Sequence, residues 1–74
     1  MDCEKVFAVR VWEWEEGLEY RPNLYGDYTE EVARTKYNSI VPNTDHPQVE
    51  LISFMKNKRT GYTFDEELIE MKEA

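Results

Sequence analysis

Cysteine occurs once in these 74 residues and histidine once, while glycine and proline occur three times each. A lone Cys3 forms no internal disulfide and supports no Cys-rich zinc centre, so the sequence predicts a chain for a reducing, cytoplasmic compartment. Gly17, Gly26 and Gly61 stand apart from one another, which excludes a glycine-rich phosphate cradle. Nowhere do roughly 18 apolar residues follow in a row, and the opening Met-Asp-Cys-Glu-Lys has no signal-peptide character. The expectation is a protein neither secreted nor membrane-spanning. Cations are scarce too, with nine Lys and Arg against sixteen Asp and Glu and a formal charge of −7. A phosphate-reading face needs clustered cations, and the densest cluster, Lys56, Lys58 and Arg59, falls at a predicted loop tip. Direct nucleic-acid binding is therefore not expected.

What the chain does have is apolar and aromatic bulk. With 41% hydrophobic residues, Trp12 and Trp14 among them, it lies well above a disordered acidic tail, and its length predicts one small domain spanning 1–74. Residues 5 to 15, KVFAVRVWEWE, alternate and are rich in β-branched and aromatic side chains, which predicts a strand. Phe7, Val9, Val11, Glu13 and Glu15 fall on one face, and Val6, Ala8, Arg10, Trp12 and Trp14 on the other. Both faces carry apolar bulk, so the strand is expected to be central. Glu15-Glu16-Gly17 is read as a turn and Leu18 to Arg21 as a short antiparallel return that Pro22 ends. Asn23 to Gly26 reads as loop.

Asp27 with Glu30 three residues later resembles a capping box. Tyr28, Val32, Ala33, Tyr37, Ile40 and Val41 then recur at helical spacing, predicting a helix of about 14 residues and about 21 Å. Pro42 stops it, and a proline-pinned loop leads to a strand from Gln48 to Met55, with Val49, Leu51, Ser53 and Met55 on one side and Glu50, Ile52 and Phe54 on the other. The tail has two readings. Thr63-Phe64-Asp65-Glu66 with Leu68 and Met71 fits a capped helix. A hairpin centred near Thr60 instead sets Leu51 opposite Ile69, Val49 opposite Met71 and Ile52 opposite Leu68, and this strand reading is preferred. The predicted fold is α+β, a small four-stranded antiparallel sheet with one helix packed on one face (ββαββ), which leaves the other sheet face bare.

No catalytic, cofactor or metal site emerges from these residues. His46 beside Asp45 lacks a nearby nucleophile, Asp65-Glu66-Glu67 has no calcium-loop spacing, and paired carboxylates need a cleft that a one-helix domain hardly provides. The chain is therefore read as a non-enzyme without cofactor, and its candidate residues lie on the surface. Glu13, Glu15, Glu16 and Glu19 gather on the first hairpin, and Asp65, Glu66, Glu67, Glu70 and Glu73 on the tail. Carboxylates two apart on a strand are about 6.8 Å apart, close to two phosphate steps of about 3.4 Å along DNA, a spacing with which acidic rows occupy a basic nucleic-acid channel. A solvated face serving only solubility is the competing account of such runs. Trp12 and Trp14 share their face with Arg10, the composition of a protein-binding hot spot, although core packing of a Trp explains the same pattern. Arg10, Trp12, Trp14, Glu13, Glu15, Glu66, Glu67 and Glu70 are accordingly the predicted partner-binding residues.

The runs VWEWEEGLEY, KYNSIVP, HPQVELISF and DEELIEMKE resemble short reading frames carried by phages and mobile elements of Gram-positive bacteria. That group includes small acidic proteins that block host defence, such as anti-CRISPR and DNA-mimic inhibitors. The resemblance covers most of the chain and transfers no functional residues. It implies a small acidic accessory protein in a bacterial cytoplasm; with the acidic rows and the Trp12/Trp14 face as contacts, the expected partner is a basic-surfaced host protein and no membrane. A self-associating structural protein, a homodimer burying the same patch, is the alternative.

Overall fold

The computed structural model describes residues 2–15 and 19–74, so the predicted turn at Glu16-Gly17 and the start of the return at Leu18 lie outside the described residues. The chain runs β1 (Cys3–Glu15), β2 (Glu19–Tyr28), α1 (Glu30–Ser39), β3 (Gln48–Asn57) and β4 (Thr63–Glu73). The strands form one antiparallel sheet in the order β2-β1-β3-β4, the α+β arrangement that alternation and periodicity predict. The tail is a strand. Ile52 stands opposite Leu68 as expected, which puts two apolar side chains in cross-strand contact.

Three local expectations fail, each for a physical reason. Pro22 does not end β2, which continues to Tyr28 with Pro22 opposite Trp12. β2 is an edge strand, where a missing N–H need cost no ladder bond. Asn23 to Gly26 is therefore strand rather than loop. The helix does not start at Asp27 either. Thr29 is the N-cap, its side chain accepting from the Val32 N–H at 3.3 Å, while the Asp27 carboxylate turns to Lys56. Ten residues of helix follow, about 15 Å at 1.5 Å per residue. Within its stripe Ala33 and Tyr37 are buried, whereas Val32 and Val41 stay exposed. Finally, Leu51 stands opposite Glu70 and Val49 opposite Lys72 rather than opposite Ile69 and Met71. An extra β4 residue is taken up between Leu51 and Ile52 and slips the predicted pairs by one.

Two more irregularities bend the edges. One lies between Ser53 and Met55, where β4 again carries the extra residue and Asp65 takes a φ of 54°, a left-handed conformation that a short polar side chain tolerates. The other lies between Phe7 and Val9, where β2 carries the extra residue. Gly26 sits there so close to β1 that an added Cβ would lie 2.8 Å from the Ala8 Cβ.

The core has two parts. On the helix side Val9, Val11, Val49 and Leu51 pack with Ala33 and Tyr37. On the other side Val6, Ala8, Ile52 and Phe54 form a second cluster with no helix over it. Gly26→Ala is expected to lower stability by about 1–3 kcal/mol through its overlap with Ala8, read as a lower thermal midpoint. Ala8→Gly in the same chain should recover part of the loss, and an unchanged midpoint in Gly26→Ala would mean that β1 and β2 separate freely there.

Candidate functional site: the sheet face without a helix

Alternation along β1 sends Trp14, Trp12 and Arg10 to the face opposite α1. Cross-strand register brings Tyr20, Pro22 and Leu24 beside them from β2, and Gln48, Glu50 and Ile52 from β3. Leu68 and Met71 of β4 stand opposite Ile52 and Glu50 on the same face. Five of the large apolar side chains left exposed therefore share this surface: Trp14, Tyr20, Leu24, Leu68 and Met71. Trp14 meets Tyr20 edge-on, with ring centroids 4.4 Å apart.

At its centre lies a polar cluster. One Glu50 oxygen accepts from Arg10 Nε at 2.8 Å and from Trp12 Nε1 at 2.6 Å. Arg10 Nη1 also donates to the Glu66 carboxylate at 3.3 Å. The Arg10 hydrogen bond holds the Glu50 carboxyl below its ordinary range against the opposing effect of burial, with the Trp12 indole adding to the shift. The same bond to Glu50 raises Arg10. Arg10 lies 6.0 Å from the Trp12 ring centroid, the outer limit of the predicted cation–π contact. Trp12 is thus a half-buried side chain fixed at its nitrogen, while Trp14 projects from the surface.

Glu50 is the residue that sequence reasoning missed. Its signal was present, a carboxylate in the middle of the apolar run QVELISFM. Its pairing with Arg10, 40 residues away, depends on a register that no local pattern supplies.

The structure divides the predicted acidic residues between the two faces. Glu13 lies on the helix side, accepting from Asn23 Nδ2 at 2.8 Å and from the Tyr25 hydroxyl at 3.4 Å. Glu66 joins Arg10 on the bare face, whereas Glu70 approaches Arg34 of α1 at 3.6 Å and Glu67 stands opposite Ser53. Glu15 closes β1, and its side chain lies outside the described residues. Uninterrupted alternation along the tail would set Glu66 and Glu70 on one face and Glu67 on the other. The bulge between Leu51 and Ile52 instead carries Glu70 to the helix side, away from Glu66.

The remaining chemistry-bearing residues are separated. His46 Nε2 lies 3.1 Å from the Val41 carbonyl, at the edge of a hollow of about 340 Å³ that also touches Glu13 and Lys36. The loop that carries it is tied to β1 by the Trp14 N–H donating to the Asp45 carbonyl at 2.8 Å. Cys3 starts β1 at the opposite end of the sheet, about 30 Å of strand away, so the two do not form a nucleophile and base. Lys56, Lys58 and Arg59 each face a carboxylate, on Asp27, Glu4 and Asp2 respectively. Among the described residues no three His, Cys, Asp or Glu side chains converge as metal ligands, and no helix is long and apolar enough to cross a membrane. Comparison with protein-family models, curated proteins and solved structures returns no match.

Because Glu50 titrates below its ordinary value in the folded chain, its stabilisation is complete above the unfolded carboxylate pKa of about 4.3 and is lost as pH falls through the lower folded value. Glu50→Gln is expected to cost about 2 kcal/mol near neutral pH and to flatten the decline in stability below about pH 4, both measured by urea melts. Identical acid profiles for the two proteins would assign the decline to other carboxylates.

Proposed function

We propose that this chain is a small acidic, non-enzymatic binding protein of the phage or mobile-element kind, which acts in a bacterial cytoplasm by docking on a basic, nucleic-acid-binding host protein and blocking it. The observation that carries this reading is the uncovered sheet face. Exposed apolar side chains surround the fixed Arg10–Glu50–Trp12 cluster there, in a chain whose net charge is −7. Exposed aromatic and aliphatic groups beside an immobilised Trp and Arg are the make-up of an interaction hot spot. The negative field steers basic partners towards the surface and repels nucleic acid. His46, tied to a backbone carbonyl and far from Cys3, favours recognition over catalysis. The sequence resemblance supports the phage setting and the anti-defence role.

Salt tests the electrostatic part. Capture of purified basic DNA-binding domains is expected to weaken more than about tenfold between about 50 and 200 mM salt and to be competed by duplex DNA. Charge reversal at Glu66, Glu67 and Glu70 should reduce it further. Binding indifferent to both salt and reversal would rule out mimicry of a nucleic acid.

A further inference from the structure

The uncovered face is grooved. Ile52 and Phe54 make its floor, Pro22 and Leu24 of β2 one wall, and the Phe64–Glu66 stretch of β4 the other, around a space of about 540 Å³. The outer strands stand three spacings apart, about 14 Å, and a helix with its side chains is about 10–12 Å across. A segment lying on a sheet face receives no backbone hydrogen bonds from it and must satisfy its own N–H and C=O groups, which a helix does and an extended chain does not. α1 meets the same requirement on the opposite face.

Charge at the groove selects among helices. Arg10 is the cation that lines it, and that guanidinium is already shared between Glu50 and Glu66. Asp65 stands in the same wall with no ion-pair partner among the described residues. Asp65 and Glu66 line the groove while the charge of Arg10 is already met by the buried Glu50, which leaves the groove negative over an apolar floor.

We infer that this groove seats an amphipathic, Lys- or Arg-rich α-helix of a partner protein, its apolar stripe on Ile52 and Phe54 between Leu24 and Phe64 and running on to Leu68 opposite Ile52, its cations against Asp65 and Glu66. The inference rests on the binding-protein reading above and gives that partner a chemistry. A second copy of this chain is the poorer occupant, because each copy carries −7 and two-fold docking would bring like-charged grooves together.

The probe is a synthetic peptide of about 15 residues with Leu at helical spacing and Lys on the opposite face, titrated against the full chain and followed by Trp fluorescence and by NMR shifts of Ile52 and Phe54. Two control peptides carry the same charge, one with the sequence scrambled and one with Ser in place of Leu. The helix-patterned peptide is expected to bind at least about tenfold tighter than either control, and Leu24→Glu and Leu68→Glu, both exposed positions, to weaken it about tenfold. Far-UV circular dichroism verifies that both variants fold. The Glu substitutions add negative charge, so binding that is unchanged or stronger in them would overturn the groove while leaving the acidic-surface reading intact. Loss of salt-sensitive capture of basic domains as well would remove both. A concentration-dependent dimer in sedimentation that Leu24→Glu dissociates would also overturn the inference, since a second copy would then be the occupant.

Discussion

The pairing of β1 with β3 is the constraint on which the rest of the molecule depends, and Arg10 opposite Glu50 is its most discriminating contact. With this register Val9 and Val11 face Leu51 and Val49 under the helix, while the ion pair falls on the other side. A slip of one residue would reverse every side chain of one strand, turning Glu50 into the apolar layer beneath Ala33 and Tyr37 and leaving Leu51 outside. An unpaired buried carboxylate is costly enough to exclude that arrangement. The polar cluster therefore acts first as a register pin and secondly as a rigid mount for Trp12.

From this centre outward the sheet becomes progressively less regular. β1 and β3 pair without interruption over ten positions, whereas β2 carries one bulge and β4 two on their pairing with the centre. Val6, Ala8, Ile52 and Phe54 are buried on the face that has no helix, and a groove lies there between Pro22 and Leu24 of β2 and the Phe64–Glu66 stretch of β4. The molecule thus has a second small core whose upper surface is open.

Most of the architecture was legible because it rests on local periodicity. Alternation in KVFAVRVWEWE fixes which side chains share a face, and the spacing of Ala33 and Tyr37 fixes the helix and its buried stripe. The preference for a strand at the tail came from cross-strand apolar matching, in which Ile52 against Leu68 holds. What local reading missed is set by neighbours distant in sequence. Bulges arise from fitting one strand to another, so neither the slip at Leu51 nor the split of Glu66 from Glu70 leaves a trace in alternation. Thr29 is a preferred capping residue, but the Asp27–Glu30 spacing offers a competing local signal two residues earlier. For the interaction surface, Arg10, Trp12 and Trp14 were visible as one face. Their partner Glu50 was not, because its role depends on a contact spanning 40 positions.

Sheets with two free borders tend to recruit further strands and grow into fibrils, since each border offers a row of unused amides and carbonyls. Here one border holds Pro22 and the kink at Gly26, and the other is interrupted twice and studded with Asp65, Glu67 and Glu70. An incoming chain would find neither a straight template nor a neutral one. Both borders of this mostly β molecule are thus poor templates for a further strand.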